Sequence, residues 1–343
     1  MSELKRDYNI DLLKVIAIFG VLIIHSCNYN SEIASLNWVS AVFWGTITRA
    51  SVPIFLMTSG AMMLEPKKEL GMKKLYLHNF LRIVIAMVFW AWAYKLFYSF
   101  FARELSIGRA FEQLGEVLLF QQEFHFYYLH MIIIVYMFLP ITRIITKYAD
   151  KKQLEYTLFI WLLFGIVYPT LRLFKPFSGF DGIVGNWVMT MPYAAIGYGL
   201  LGYYLKKYPP VKSTGICLTI LGFAVIFWGT YIASAAGGEF YSGFMEGMSV
   251  GTLMLAVGIY TLIDSVTIKP GKFAKCITWL SKASFCVYLV HIFFLRLIEM
   301  RGFSIDLWYE FFTIPALAIV VFVCSIAVYA VLSKIPLVRK WLI

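Results

Sequence analysis

An all-α membrane protein of about ten spanning helices, with both termini cytoplasmic, is the fold class this sequence predicts, and three observations predict it. Hydrophobic residues fill 61% of the 343 positions and charged residues only 14%, against roughly 45–50% and 25% in a soluble domain. The apolar residues run in blocks near the ~20 residues that cross a hydrocarbon core. Lysine and arginine gather in short clusters between those blocks, on alternate sides.

The blocks lie near 10–28, 38–64, 80–101, 125–146, 154–173, 187–205, 213–234, 247–265, 280–298 and 310–333. The first follows Lys5 and Arg6 but has no small-x-small cleavage site and carries charges within it, so it is expected to be retained as a span. Pro53 sits inside the second, and the fourth opens on the aromatic run "EFHFYYLH". In the sixth and eighth, Gly197, Gly199, Gly202, Gly247 and Gly251 mark expected close packing between helices. With a cytoplasmic N-terminus, one side of the membrane collects 20 lysines and arginines, from Lys5 and Arg6 through Lys67, Lys68, Lys73 and Lys74 to Arg339 and Lys340. The other side holds six: Arg103, Arg109, Arg172, Lys175, Arg296 and Arg301. That asymmetry sets the orientation. No repeat, low-complexity tract or soluble appendage interrupts the pattern, so residues 1–343 are expected to form a single transmembrane domain.

The net charge of +11 is explained by this topology. No basic face interleaved with exposed aromatics is present, and no nucleic-acid partner is expected. Five scattered cysteines lack any C-x-x-C spacing, so neither disulfides nor a metal site is expected.

Ionisable residues inside spans cost about 2.5–3.5 kcal/mol each on insertion scales, which makes them candidates for function. Asp11 and Lys14 are three residues apart, close enough for a local ion pair near the cytoplasmic interface. His25 lies eleven residues beyond Lys14, which at 100° per residue returns to within about 20° of the same direction and rises about 16 Å. Lys14 and His25 thus share one helix face at opposite depths. His25 is either a general base for a hydroxyl nucleophile or a core histidine bonded to a neighbouring carbonyl. Arg49, in "TRASVPIFLMTSG", stays charged and needs a carboxylate, a carbonyl cluster or an anionic ligand. Asp11 and Glu65 are the candidate partners of a purely structural salt bridge. His125 and His130 are five apart, a spacing that does not stack two zinc ligands on one helix face. Tyr127 and Tyr128 suit an aromatic belt or a binding wall, and His291 in "SFCVYLVHIFF" suits a packed core or a site. The phosphate-binding loop, the nucleophile elbow and the dinucleotide fingerprint are all missing.

Taken together, these residues resemble the acyltransferase-3 group of bacterial membrane O-acyltransferases. Asp11, Lys14 and His25 match its first-span pattern of an acidic residue followed by a basic residue, ten positions and a histidine. "RASVPIFLMTSG" is similar to its R-x-S-V-P-x-F-F-x-x-S-G span, "HNFLRI" to its basic third-span start, "HFYYL" to its H-x-W-F-L and "SKASFCVYLVH" to its S-x-x-Y-x-x-H. Lys14 replaces the commoner arginine, Asn79 a position often basic, and Tyr127 the usual tryptophan. The likeness is nearest to the stand-alone type that O-acetylates enterobacterial common antigen.

The resemblance implies transfer of an acyl group, usually acetyl from acetyl-CoA, to a hydroxyl of a cell-envelope or lipid-linked glycan in the bacterial inner membrane. Acetyl-CoA is then the donor substrate, and no bound cofactor is expected. Its phosphates would lie near Lys73, Lys74 and Arg82. His25 would deprotonate the acceptor or transiently carry the acyl group, with Lys14 and Asp11 on the same catalytic span, and Arg49 would polarise the thioester. His125, Tyr128 and His291 would border the acceptor. The competing reading is a transporter or flippase using the same buried polar path, against which stands the lack of an inverted repeat or of paired broken helices.

Overall fold

The computed structural model describes residues 6–68, 71–179, 182–303 and 308–343; Lys5, counted above among the basic residues, lies outside them. Among the described residues the chain is helical, without strands. It opens with α1 (Tyr8–Ser26), capped by the Asp7 carboxylate, which accepts from the backbone N–H groups of Asn9 and Ile10. The second span is split into α2 (Leu36–Thr48) and α3 (Ser51–Met63). Pro53 explains the break: it has no N–H to offer the carbonyl of Arg49 four residues earlier.

The third span is α4 (Leu81–Phe101), entered through a wide helical turn at Leu75–Phe80, and α5 (Ile107–Leu118) follows on the opposite face. α5 presents polar groups inward and apolar groups outward. Gln113 donates to the Ser99 hydroxyl and Glu116 pairs with Lys95, whereas Ile107 and Phe111 are exposed. That inversion suits a helix lying in the membrane interface. The remaining long helices are α6 (Tyr127–Tyr148), α7 (Lys151–Leu162, continued through a wide turn to Leu171), α8 (Met191–Lys207), α9 (Lys212–Gly237), α10 (Val250–Asp264), α11 (Lys272–Met300) and α12 (Glu310–Leu332).

Nine segments among the described residues are long and apolar enough to cross a membrane. The tenth expected span is α8, which at 17 residues reaches only about 26 Å against a core of about 30 Å. It crosses the bundle buried against α3 and α6. Gly60 and Gly202 allow that approach, since a methyl group on either would overlap a backbone carbonyl of the facing helix, Gly199 or Met57. Gly197 packs under the Trp161 indole and Gly251 against Ile226. Gly247 departs from the expectation: a Cβ there would meet nothing, because it sits in the loop before α10, where its carbonyl accepts from the Tyr198 hydroxyl at 2.7 Å.

α1 is the central helix, packed by α2, α3, α10, α11 and α12. Its polar face is therefore surrounded by protein, and lipid does not reach it. α1 is one of the nine segments long and apolar enough to cross a membrane, so Lys14 and His25, eleven residues apart along it, sit at different depths of the same interior.

Candidate functional site

Two cavities occupy the interior along α1. The one toward the lysine-rich face has a volume of about 520 Å³ and is lined by Lys14, Asn79, Arg82, Lys282 and Arg339 among other residues. Four cations converge there from α1, α4, α11 and the C-terminal segment. Arg82 donates to the main-chain oxygen of Ile343 and lies 5.5 Å from the Phe285 ring centre. Such a basic, half-apolar chamber suits a ligand with anionic and aliphatic parts.

The second cavity, about 310 Å³, lies toward the opposite face, lined by His25, Arg49, His125, Tyr127, Glu246 and several methionines. A smaller chamber of about 240 Å³ adjoins it and shares Met191, Glu246, Gly247 and Met248 with it. Arg49 stands at the break between α2 and α3, and its Nε donates to the carbonyl of Met245. Its remaining N–H groups are directed by the same planar fork. The break thus turns a guanidinium out of the helix ladder and into the chamber.

Three histidines from three spans meet at the wall of this chamber. The ring centres of His25 and His291 are 5.2 Å apart and those of His125 and His291 5.4 Å. His291 is fully buried behind the other two, and its Nδ1 is 2.8 Å from the carbonyl of Tyr288. A carbonyl can only accept, so Nδ1 carries the proton and the lone pair of the neutral ring is on Nε2. That Nε2, and both ring nitrogens of His125, are buried without a hydrogen-bond partner. Unpaired buried polar atoms are rare enough that each needs an explanation, and here those of His125 lie in the chamber wall and that of His291 directly behind it. Among the described residues no three His, Cys, Asp or Glu side chains are placed to hold a metal ion.

Residues 7–334 match the model of a family described as an acyltransferase domain. The chain belongs to the acyltransferase-3 family. No curated protein and no solved structure matches it. In this membrane acyltransferase, the structure sorts the residues singled out from sequence. His25, Arg49, His125 and Tyr128 line the chamber on the far side, while Lys14, Arg82 and again Tyr128 line the basic one.

Other expectations are corrected. Asp11 does not pair with Lys14: its carboxylate takes two hydrogen bonds from Arg6, at 2.6 and 2.9 Å, and one each from Thr278 and Ser281, at 3.0 and 2.8 Å. Asp11 joins α1 to α11 and lines neither cavity, because its carboxylate is taken up by Arg6 and by the hydroxyls of Thr278 and Ser281. Neither Asp11 nor Glu65 pairs with Arg49, whose partner is the Met245 carbonyl. Lys73 and Lys74 are exposed on the turn before α4 and do not line the basic cavity. His291 does not border the chamber; it backs the two histidines that do. His130 bonds the side chain of Gln122 at 3.1 Å, a structural contact. Lys282 and Arg339 also line the basic cavity and Glu246 the far one, although in the sequence Lys282 and Arg339 count only toward the charge asymmetry across the membrane and nothing singles out Glu246.

Proposed function

We propose that this protein moves a short acyl group, acetyl in the simplest case, from an acyl-CoA to a hydroxyl of a cell-envelope or lipid-linked glycan. The observation that carries the reading is the pair of cavities: a basic one toward the lysine-rich face, which the positive-inside rule makes cytoplasmic, and a histidine- and arginine-lined one toward the other, both against α1. The donor's phosphates would meet Lys14, Arg82, Lys282 and Arg339, with the thioester arm directed inward. The acceptor hydroxyl would enter the far chamber beside Glu246 and His25. His25 takes the hydroxyl proton as the oxygen attacks the thioester carbonyl. Negative charge develops on that carbonyl oxygen, where the Arg49 guanidinium offsets it. The C–S bond then breaks, the new C–O ester bond remains, and the proton held by His25 passes to the departing thiolate. His125 and His291 hold the ring of His25 in its working position. Enterobacterial common antigen represents the class of acceptor this reading favours.

The test is purified protein in nanodiscs, given radiolabelled acetyl-CoA and a glycolipid fraction of bacterial membranes. The expected result is stoichiometric release of free thiol with label in the glycolipid. The two opposed cavities also suit a transporter. Uptake of glycan into proteoliposomes without acetyl-CoA, and with no thiol released, would replace the transfer reading by that one.

A further inference from the structure

The residues lining the two main cavities overlap at only two side chains, Tyr128 and Tyr288. Their rings meet edge to face, with centres 5.4 Å apart and planes at 69°. Aromatic rings at that separation are in van der Waals contact, so no space for a chain of atoms is left between them. A septum two side chains thick therefore separates the cation cluster from the histidine cluster.

The two leaves are held differently. Tyr288 is fixed at both ends: its hydroxyl donates to the carbonyl of His125, and its own carbonyl accepts from His291. It is also set in the middle of the 29-residue α11. Tyr128 lies in the first turn of α6. Its ring leans on Phe55, with centres 6.0 Å apart, and on Tyr288; no hydrogen bond to another described residue anchors its hydroxyl. Tyr288 is the post and Tyr128 the leaf that can turn.

We propose that Tyr128, turning against the fixed Tyr288, forms the passage through which the acyl-bearing arm of the donor reaches His25, and that this passage selects acyl groups by cross-section. The inference rests on the transfer reading above. A linear thioester arm and an acetyl group have similar widths, so an opening just wide enough for one admits the other. A branched or aromatic acyl group is wider than the arm and is refused. The leaf also keeps the far chamber closed when no arm is present, which protects the thioester from water entering through the acceptor side.

The experiment compares acetyl-CoA with benzoyl-CoA as donors for the wild type and for Tyr128→Ala, Tyr128→Leu and Tyr128→Phe in nanodiscs, reading kcat/KM from thiol release. The leucine variant guards against loss of folding in the alanine one, and thermal melting is followed for all. Removing the ring is expected to raise the benzoyl-to-acetyl ratio by about tenfold or more, the scale on which pocket shape separates substrates. The phenylalanine variant, which keeps the leaf, should stay near the wild-type ratio. A ratio unchanged in both the alanine and leucine variants, whatever their absolute rates, overturns the proposal while leaving acyl transfer standing. A wild type that releases no thiol from either donor overturns the transfer reading and this inference with it.

Discussion

Replacing Asp11 by alanine separates a helix-joining role from a chemical one. The carboxylate is 5% exposed and gathers hydrogen bonds from the Thr278 and Ser281 hydroxyls of α11 and from Arg6. Interhelical hydrogen bonds within membrane proteins contribute about 0.6 kcal/mol on average and up to about 1.7 kcal/mol each. Acceptance by a charged group places the two hydroxyl bonds toward the upper part of that range. The Arg6 pair is discounted because the arginine side chain is 45% exposed, which leaves roughly 0.5–1 kcal/mol for it. The expected loss is about 2–4 kcal/mol, read as a fall in melting temperature of roughly 3–6 °C for a chain of this size. The assay is thermal unfolding in detergent, paired with thiol release per folded molecule at a temperature where both proteins are folded. Asp11→Ala should melt early yet keep turnover within a few-fold. A variant that melts like the wild type but turns over no donor would refute this account and return Asp11 to the chemistry.

Further outcomes follow from the packing and the cavities. Gly60→Val should prevent α3 from meeting α8 at the Gly199 carbonyl, destabilising by about 1–3 kcal/mol or more in the same melting assay. Lys14→Ala and Arg82→Ala should raise the donor KM, with a smaller salt dependence than the wild type, whereas a Lys73→Ala, Lys74→Ala double variant should not. Arg49→Lys keeps the charge but loses the Nε donor that meets the Met245 carbonyl. Its kcat should fall about 100-fold, the scale of losing one oxyanion donor, with donor KM little changed in steady-state kinetics.

The spans were legible because hydropathy and the placement of lysine and arginine act residue by residue along the chain. The ten blocks reappear in order, although α11 begins some two turns before its apolar core, since Lys272 and Lys275 are tolerated at a helix end that reaches water. The depth relation of Lys14 and His25 was legible for the same reason, being a property of one helix. What joins different helices was not. The spacing of Asp11 and Lys14 suggested a pair, but tertiary packing offered Asp11 the hydroxyls of a helix some 270 positions away. The meeting of His25, His125 and His291 depends on how three spans rotate, which no local periodicity fixes. Lys282 and Arg339 looked like topology signals, and only the folding of the C-terminal segment beneath α4, where the Trp90 indole donates to Leu342, turns Arg339 into a wall of the basic cavity.

The claim at the centre of this account is that His25, facing the far chamber, takes the acceptor proton. Its most direct measurement is the rate of thiol release from acetyl-CoA in the presence of acceptor, compared between the wild type and His25→Ala of equal melting temperature. General-base catalysis contributes about 100-fold to 10,000-fold, so the variant's kcat should fall at least 100-fold while its donor KM stays close to the wild-type value. A His25→Ala protein that releases thiol and labels acceptor at the wild-type rate would contradict it.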